Sequence, residues 1–142
     1  MLCLQINAEK WIILNTEAPA IVLIEDDKVT LDLYQRELSK SFTVFAFTQI
    51  SDVQDIMINR DIRAVVIEPE INSGKGWELI HSIYMTYPDR SIPVIVCSTR
   101  DSSNTGLALE VTKYLTKPVL PRTLREKTLE LIREKDKLKR TS

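Results

Sequence analysis

Short apolar runs separated by amphipathic stretches are the feature that most constrains the fold of this chain. Residues 21–24, 64–67 and 94–97 are each consecutive apolar residues, a pattern typical of strands that are buried on both faces. Residues 43–47 and 114–116 also favour strands, because they are rich in aromatic and β-branched side chains. We therefore expect five strands with helices between them.

The stretches between these runs carry apolar side chains at helical spacing. Asp27 and Ser51 are expected to cap the first two helices, and Pro121 suits the first position of the last one. A third helix is expected over residues 77–87, and a weak fourth over 107–111. The apolar stripes predicted on the first and last helices are Val29, Leu31, Leu33, Tyr34 and Leu38, and Leu124, Thr128, Leu131, Ile132 and Leu138. This alternation predicts an α/β domain with a parallel sheet covered by helices on both faces.

Charged and polar residues follow four of the predicted strands. Glu25 and Asp26 follow the first strand, Glu68 the third, Ser98 ends the fourth, and Lys117 follows the fifth. The carboxyl ends of parallel strands meet at one edge of the sheet, where ligands of such folds collect. Grouped carboxylates need a compensating cation, and Mg²⁺ prefers such oxygen ligands. An ammonium and a hydroxyl nearby would suit a phosphoryl group or another oxyanion.

Simpler interpretations of these residues stay open. Glu25 and Asp26 could be helix-capping, solvated carboxylates, and Ser98 an ordinary hydroxyl at a strand end. Glu68 could form a structural salt bridge with Lys117, and we expect that salt bridge under either interpretation.

Four motifs together resemble a known family. They are Leu-Ile-Glu-Asp-Asp at 23–27, the loop at 68–77, the run at 93–98, and Tyr-Leu-Thr-Lys-Pro at 114–118. They resemble the receiver domain of bacterial two-component response regulators, over about residues 20–135. The resemblance implies a flavodoxin-like, doubly wound five-stranded sheet of order 2-1-3-4-5. It also implies phosphorelay signalling, with a histidine kinase or a downstream signalling protein as partner and a homodimer as a further option.

The resemblance implies a role for individual residues. Glu25 and Asp26 match the acidic pair that holds Mg²⁺ in the family. Ser98 matches the hydroxyl of the phosphate pocket, Lys117 the pocket lysine, and Tyr114 the aromatic residue that rotates on activation. Tyr114 could instead be an ordinary core residue, and with Glu68 fixed we expect a single resting position and no switching.

Glu68 departs from the family, because it stands where the phosphate-accepting residue is an aspartate. The extra methylene shifts the carboxylate by roughly an ångström, which could slow phosphoryl transfer about 10²-fold. We therefore predict a pseudo-receiver, a protein-interaction module that is independent of phosphorylation and is not an enzyme. The alternative is a phosphorylatable receiver that uses Mg²⁺ held by Glu25, Asp26 and Glu68.

Composition limits the other classes of function. The formal net charge of −1 gives no field that would attract nucleic acid or an acidic membrane surface. No apolar run is long enough to cross a membrane. Cys3 and Cys97 form no CxxC pair, which fits a cytoplasmic protein. A flavin or nucleotide site is disfavoured, since acidic residues follow the first strand where a phosphate-binding glycine pattern would stand.

Two short segments flank the predicted receiver-like domain, which we place at residues 20–135. The N-terminal extension, residues 1–19, contains an apolar Trp-Ile-Ile-Leu run at 11–14 that could be an extra strand or a patch packed on the domain. Residues 136–142 form a charged C-terminal tail, interpreted as the frayed end of the last helix.

Overall fold

A computed structural model describes residues 18–89, 91–99 and 109–141. Five strands in this part form one sheet: β1 (Ala20–Ile24), β2 (Thr43–Phe47), β3 (Ile62–Ile67), β4 (Val94–Ser98) and β5 (Lys113–Thr116). Their order is β2-β1-β3-β4-β5, and every neighbouring pair is parallel. This confirms the predicted strand order and the doubly wound, flavodoxin-like architecture.

Four helices are described: α1 (Lys28–Leu38), α2 (Val53–Asn59), α3 (Ile71–Thr86) and α4 (Pro121–Thr141). Asp27 caps α1 as predicted, since its carboxylate accepts a hydrogen bond of 3.0 Å from the Thr30 backbone N–H. The cap of α2 is Asp52 and not Ser51, and its side chain makes no capping hydrogen bond. The stretch predicted as a helix at 107–111 lies partly outside the described residues, and Glu110 already has a positive φ of 56°.

Alternating side chains of each strand pack into two separate cores, one on each face of the sheet. Val22, Val65 and Val96 point to the face covered by α2 and α3. Their neighbours Leu23 and Val66 point to the face covered by α1 and α4. Because successive side chains of a strand alternate between the two faces, the continuous apolar runs fill both cores at once. Cys97 is buried in the second core, as predicted.

The predicted apolar stripes on α1 and α4 were too wide. Leu31, Tyr34 and Leu38 of α1 are buried, whereas Val29 and Leu33 are exposed. Each of these two lies two residues from Leu31, so it points roughly 200° away around the helix. Leu138 of α4 is also exposed, because a helix of 21 residues is about 31 Å long and extends past the shorter strands.

The start of α3 also differs from the prediction. The element begins at Ile71, but Asn72, Ser73 and Gly74 have left-handed backbone angles, with φ of 51°, 58° and 90°. A regular right-handed helix therefore begins only after Gly74, close to the predicted start at residue 77. This irregular turn lies directly after the β3 end that carries Glu68.

Some predictions fall on residues that are not described. The apolar run at 11–14 and Cys3 lie outside the described residues, as do most of the N-terminal extension and residue 142. Among the described helices, none combines the length and the apolar character needed to cross a membrane. The segment predicted as a charged tail is part of α4, where Asp136 forms an ion pair with Arg63 of β3.

Candidate functional site

Backbone hydrogen bonds bring the predicted site residues to one edge of the sheet. The N–H of Glu68 donates to the carbonyl of Ile24 at 2.9 Å and so continues the pairing of β3 with β1. The N–H of Lys117 donates to the carbonyl of Ser98 at 2.8 Å and continues the pairing of β5 with β4. Four of the predicted positions, those of Glu25, Glu68, Ser98 and Lys117, therefore stand at the carboxyl ends of adjacent strands.

Lys117 forms its ion pair with Glu25. Its Nζ donates a hydrogen bond to Glu25 Oε1, and both side chains are largely buried. The other oxygen, Glu25 Oε2, accepts from the backbone N–H of Asp27 at 3.2 Å. The predicted salt bridge between Lys117 and Glu68 is thus wrong, because the Lys117 ammonium pairs with Glu25 Oε1 instead.

The pair keeps Lys117 protonated. Burial alone would lower the pKa of Lys117, but the hydrogen bond and the negative charge of Glu25 outweigh burial and raise that pKa above its ordinary value. Lys117 is therefore a cation paired with Glu25 at neutral pH. Burial raises the pKa of Glu25, and the hydrogen bond and charge of Lys117 oppose that rise without cancelling it.

Glu68 lies in a less favourable environment. The Ser98 hydroxyl lies close enough to its carboxylate to lower the pKa of Glu68, while the buried Oε2 has no hydrogen-bond partner. Burial raises the pKa of Glu68, the Ser98 hydrogen bond and the Lys117 charge oppose this rise, and the charges of Glu25 and Asp26 add to it. The net effect is a raised pKa, so ionised Glu68 is costly in the folded protein.

The other predicted residues occupy positions of differing exposure. Ser98 is fully buried, Asp26 is exposed and Tyr114 is half-buried. Tyr114 packs against the core beneath α2 and α3. The peptide bond between Lys117 and Pro118 is cis.

Sequence reasoning missed Tyr34 as a neighbour of the site. Its hydroxyl lies 3.6 Å from Cys97 Sγ and donates to the Val119 carbonyl at 3.3 Å. Burial raises the pKa of Tyr34, and the charges of Glu25 and Glu68 contribute to that rise. The only signal in the sequence was its place in the α1 stripe, which indicates burial but not a polar partner.

The side chains at this edge fit a magnesium ion poorly in their present arrangement. Both oxygens of Glu25 are engaged, and Glu68 offers one unpartnered buried oxygen. Among the described residues, no group of three or more His, Cys, Asp or Glu side chains is arranged to hold a metal ion. A metal site built from Glu25, Asp26 and Glu68 stays a prediction that requires Lys117 to release Glu25.

Known proteins share this arrangement of strands. The family model described as response regulator receiver domain matches residues 21–129. This chain belongs to the response regulator receiver domain family. The predicted family resemblance is thereby confirmed, and the chain is a receiver of the kind found in two-component signalling. No curated protein matches the chain in sequence.

Solved receiver structures have the same fold. A CheY-like receiver domain protein from Methanospirillum hungatei is 22% identical with a TM-score of 0.77, over 85% of this chain and 98% of that one. Chemotaxis protein CheY4 of Vibrio cholerae is 18% identical with a TM-score of 0.71, over 82% of this chain and 99% of that one. The longer response regulator DrrB of Thermotoga maritima is 21% identical with a TM-score of 0.73, over 83% of this chain and 54% of DrrB.

Proposed function

We propose that this receiver is a protein-interaction module that works without phosphorylation. The observation that carries the proposal is the buried, unpartnered Oε2 of Glu68, the residue at the phosphoacceptor position. A carboxylate that attacks a phosphodonor must be ionised and must reach it in line. The raised pKa of Glu68 works against the first requirement, and the burial of its Oε2 works against the second.

The contacts of Ser98 and Lys117 support the same conclusion. In a working phosphate pocket, a hydroxyl and an ammonium would contact the transferred group. Here the Ser98 hydroxyl interacts with the Glu68 carboxylate and lowers its pKa, and Lys117 is paired with Glu25. The Glu68 carboxylate therefore makes a contact that a phosphoryl group would make in a phosphorylated receiver. It carries less charge than the roughly −1.5 to −2 of a phosphoryl group.

The partner in this proposal is another protein of a signalling pathway, a histidine kinase or a downstream protein. Receiver domains act through kinases and effectors. The net charge of −1 does not favour binding to nucleic acid. Recognition in this proposal uses one resting conformation, with Tyr114 in its half-buried position.

The alternative is a receiver that is phosphorylated on Glu68 with the help of Mg²⁺. The retention of Ser98, Lys117 and the acidic pair at one edge favours it. When bound, the ion would supply charge neutralisation for the incoming phosphoryl group. Asp26 is exposed, and Glu68 has an unpartnered oxygen, so these two residues would be its first ligands.

Incubation with acetyl phosphate and Mg²⁺, followed by intact-mass analysis, tests the proposal. We expect no mass increase for the unaltered chain or for Glu68→Gln. Glu68→Asp shortens the side chain, frees space near Ser98 and should gain one phosphoryl group, which makes it the positive control. A phosphoryl group located on Glu68 of the unaltered chain would establish the alternative.

A further inference from the structure

A groove of about 220 Å³ lies between α2 and α3, away from the strand-end site. Its lining combines buried and exposed apolar side chains with a few polar ones: Met57, Ile58, Ile83 and Tyr87, with Gln54, Ser82 and Thr86. Ile58 at its rim is 76% exposed, so one apolar edge of the groove is in contact with water. Docking of an apolar segment would remove this edge from water, which is favourable.

The groove is continuous with the place where the chain enters the domain. Ala18 lines a depression together with Arg60 and Asp61 at the start of β3. Arg60 and Asp61 also line the next depression, which they share with Met57 and Tyr87. Met57 and Tyr87 in turn form the near end of the α2–α3 groove. A chain segment that precedes Ala18 therefore starts at the open end of this path.

The segment before Ala18 carries an apolar run of suitable chemistry. Residues 11–14 are Trp-Ile-Ile-Leu, and they lie outside the described residues. We propose that residues 11–14 occupy the α2–α3 groove of the same chain. This inference goes beyond the proposed function, since it involves neither Glu68 nor the strand-end pocket.

The length of the connection allows this contact. Leu14 is four residues before Ala18 and Trp11 is seven, so they can reach up to about 14 Å and about 25 Å from it. Along α2, the residues that line the groove run from Gln54 to Ile58, a rise of about 6 Å. The reach of Trp11 exceeds this rise, and the two depressions between Ala18 and Met57 provide a path to the groove.

Polar groups at the rim provide what a tryptophan needs when it is buried. An indole N–H requires an acceptor. Gln54 Nε2 donates to Ser82 Oγ at 2.9 Å, which leaves the Gln54 carbonyl oxygen as an acceptor. The Thr86 hydroxyl donates to the Ser82 carbonyl at 3.0 Å, which leaves the lone pairs of Thr86 Oγ1.

The tether favours this occupant over an external one. A segment joined through a few residues has an effective concentration in the millimolar range. A free partner or a second copy would have to bind more tightly to displace it. Docking would cover Ile58, so in this proposal the isoleucine side chain contacts residues 11–14.

Trp11 fluorescence tests the proposal in the full-length protein. The chain has two tryptophans, so the difference between the unaltered chain and Trp11→Phe isolates the Trp11 signal. We expect blue-shifted Trp11 emission and several-fold weaker acrylamide quenching than for the same residue in urea. Ile58→Glu should shift the emission to longer wavelength and restore quenching, because a carboxylate at the rim opposes apolar docking.

Val29→Glu is the matched control, because Val29 is similarly exposed but lies on α1, on the opposite face of the sheet. It should leave the Trp11 signal unchanged. Trp11 emission that acrylamide quenches fully in the unaltered chain would overturn the proposal. The proposal would also fail if Val29→Glu exposed Trp11 to acrylamide while Ile58→Glu did not.

Methyl spectra and sedimentation provide the second readout. Trp11→Ala should remove ring-current shifts from the methyl resonances of Met57, Ile58 and Ile83, and leave those of Val29 and Leu33 unchanged. The protein should sediment as a monomer while Trp11 is protected. Protection that appears only with dimer formation would mean that a second copy supplies the segment, and would refute the intramolecular contact.

Discussion

At the scale of single residues, two buried carboxylates at neighbouring strand ends differ in their hydrogen bonds. Glu25 has a hydrogen-bond donor for each oxygen, including the Lys117 ammonium. Glu68 has a buried Oε2 without a partner. The positions of Glu25, Glu68, Ser98 and Lys117 could be predicted, because parallel strands end at one edge. The pairing could not, because strand periodicity fixes where a side chain starts but not its rotamer.

The first prediction concerns the pH dependence that Glu68 imposes. Because folding raises the pKa of Glu68, the unfolded chain loses this proton first as the pH rises, and stability falls over that interval. Glu68→Gln removes the ionisation. It should raise the free energy of unfolding at pH 7 by on the order of 1 kcal/mol, the scale of an unsatisfied buried acceptor. The gain should disappear below the ordinary pKa of 4.5.

Urea denaturation at a series of pH values measures this effect. Glu78→Gln, at an exposed position of α3, should change stability little at any pH. A Glu68→Gln variant that is less stable than the unaltered chain at pH 7 would contradict the account of Glu68 as a destabilising charge.

The second prediction concerns Lys117. Lys117→Ala leaves Glu25 buried without its cation, so we expect a loss of about 3–5 kcal/mol in urea denaturation at pH 7. Lys127→Ala removes an exposed partner of Glu130 and should cost at most about 1 kcal/mol. Increased stability of Lys117→Ala would refute the assigned role of the ion pair.

At the scale of secondary-structure elements, the strands were predictable and the irregular turns were not. Continuous apolar runs identified β1, β3 and β4, since both faces of the sheet are covered. No repeating pattern of apolar residues in the sequence predicts the left-handed turn at Asn72, Ser73 and Gly74. The stripes on α1 and α4 were overestimated because Val29 and Leu138 are apolar but point away from the sheet or lie beyond it.

The third prediction concerns the start of α3. A Cβ on Gly76 would lie 2.6 Å from both the Cα and the carbonyl oxygen of Pro69, so the backbone would have to move. Gly76→Ala should lower the free energy of unfolding by about 1–3 kcal/mol, the usual cost of overpacking. Lys75→Ala, at an exposed position of the same turn, should have little effect. Equal stability of both variants in thermal denaturation would show that the close approach is readily relieved.

At the scale of the whole molecule, one sheet separates two cores that share no helix. Ile80 of α3 lies in one core and Ile132 of α4 in the other. The doubly wound architecture and the family could be predicted from strand alternation and four motifs. The α2–α3 groove could not, because it depends on how two helices are spaced and not on either one alone.

The fourth prediction concerns the independence of the two cores. Ile80→Val and Ile132→Val each remove one buried methylene and should each cost about 0.5–1.5 kcal/mol. Because the sheet lies between the two sites, the double variant should equal the sum within about 0.5 kcal/mol. A larger coupling energy in urea denaturation would mean that the sheet transmits repacking from one face to the other.

The contact between Lys117 and Glu25 joins positions that are 92 residues apart. On the ribosome, the strand next to Glu25 is synthesised long before the lysine that neutralises it. A nascent chain that stops short of Lys117 has every residue of β1 to β4 but leaves one carboxylate to be hydrated or protonated. The buried ion pair at this end of the domain can therefore form only after Lys117 has been translated.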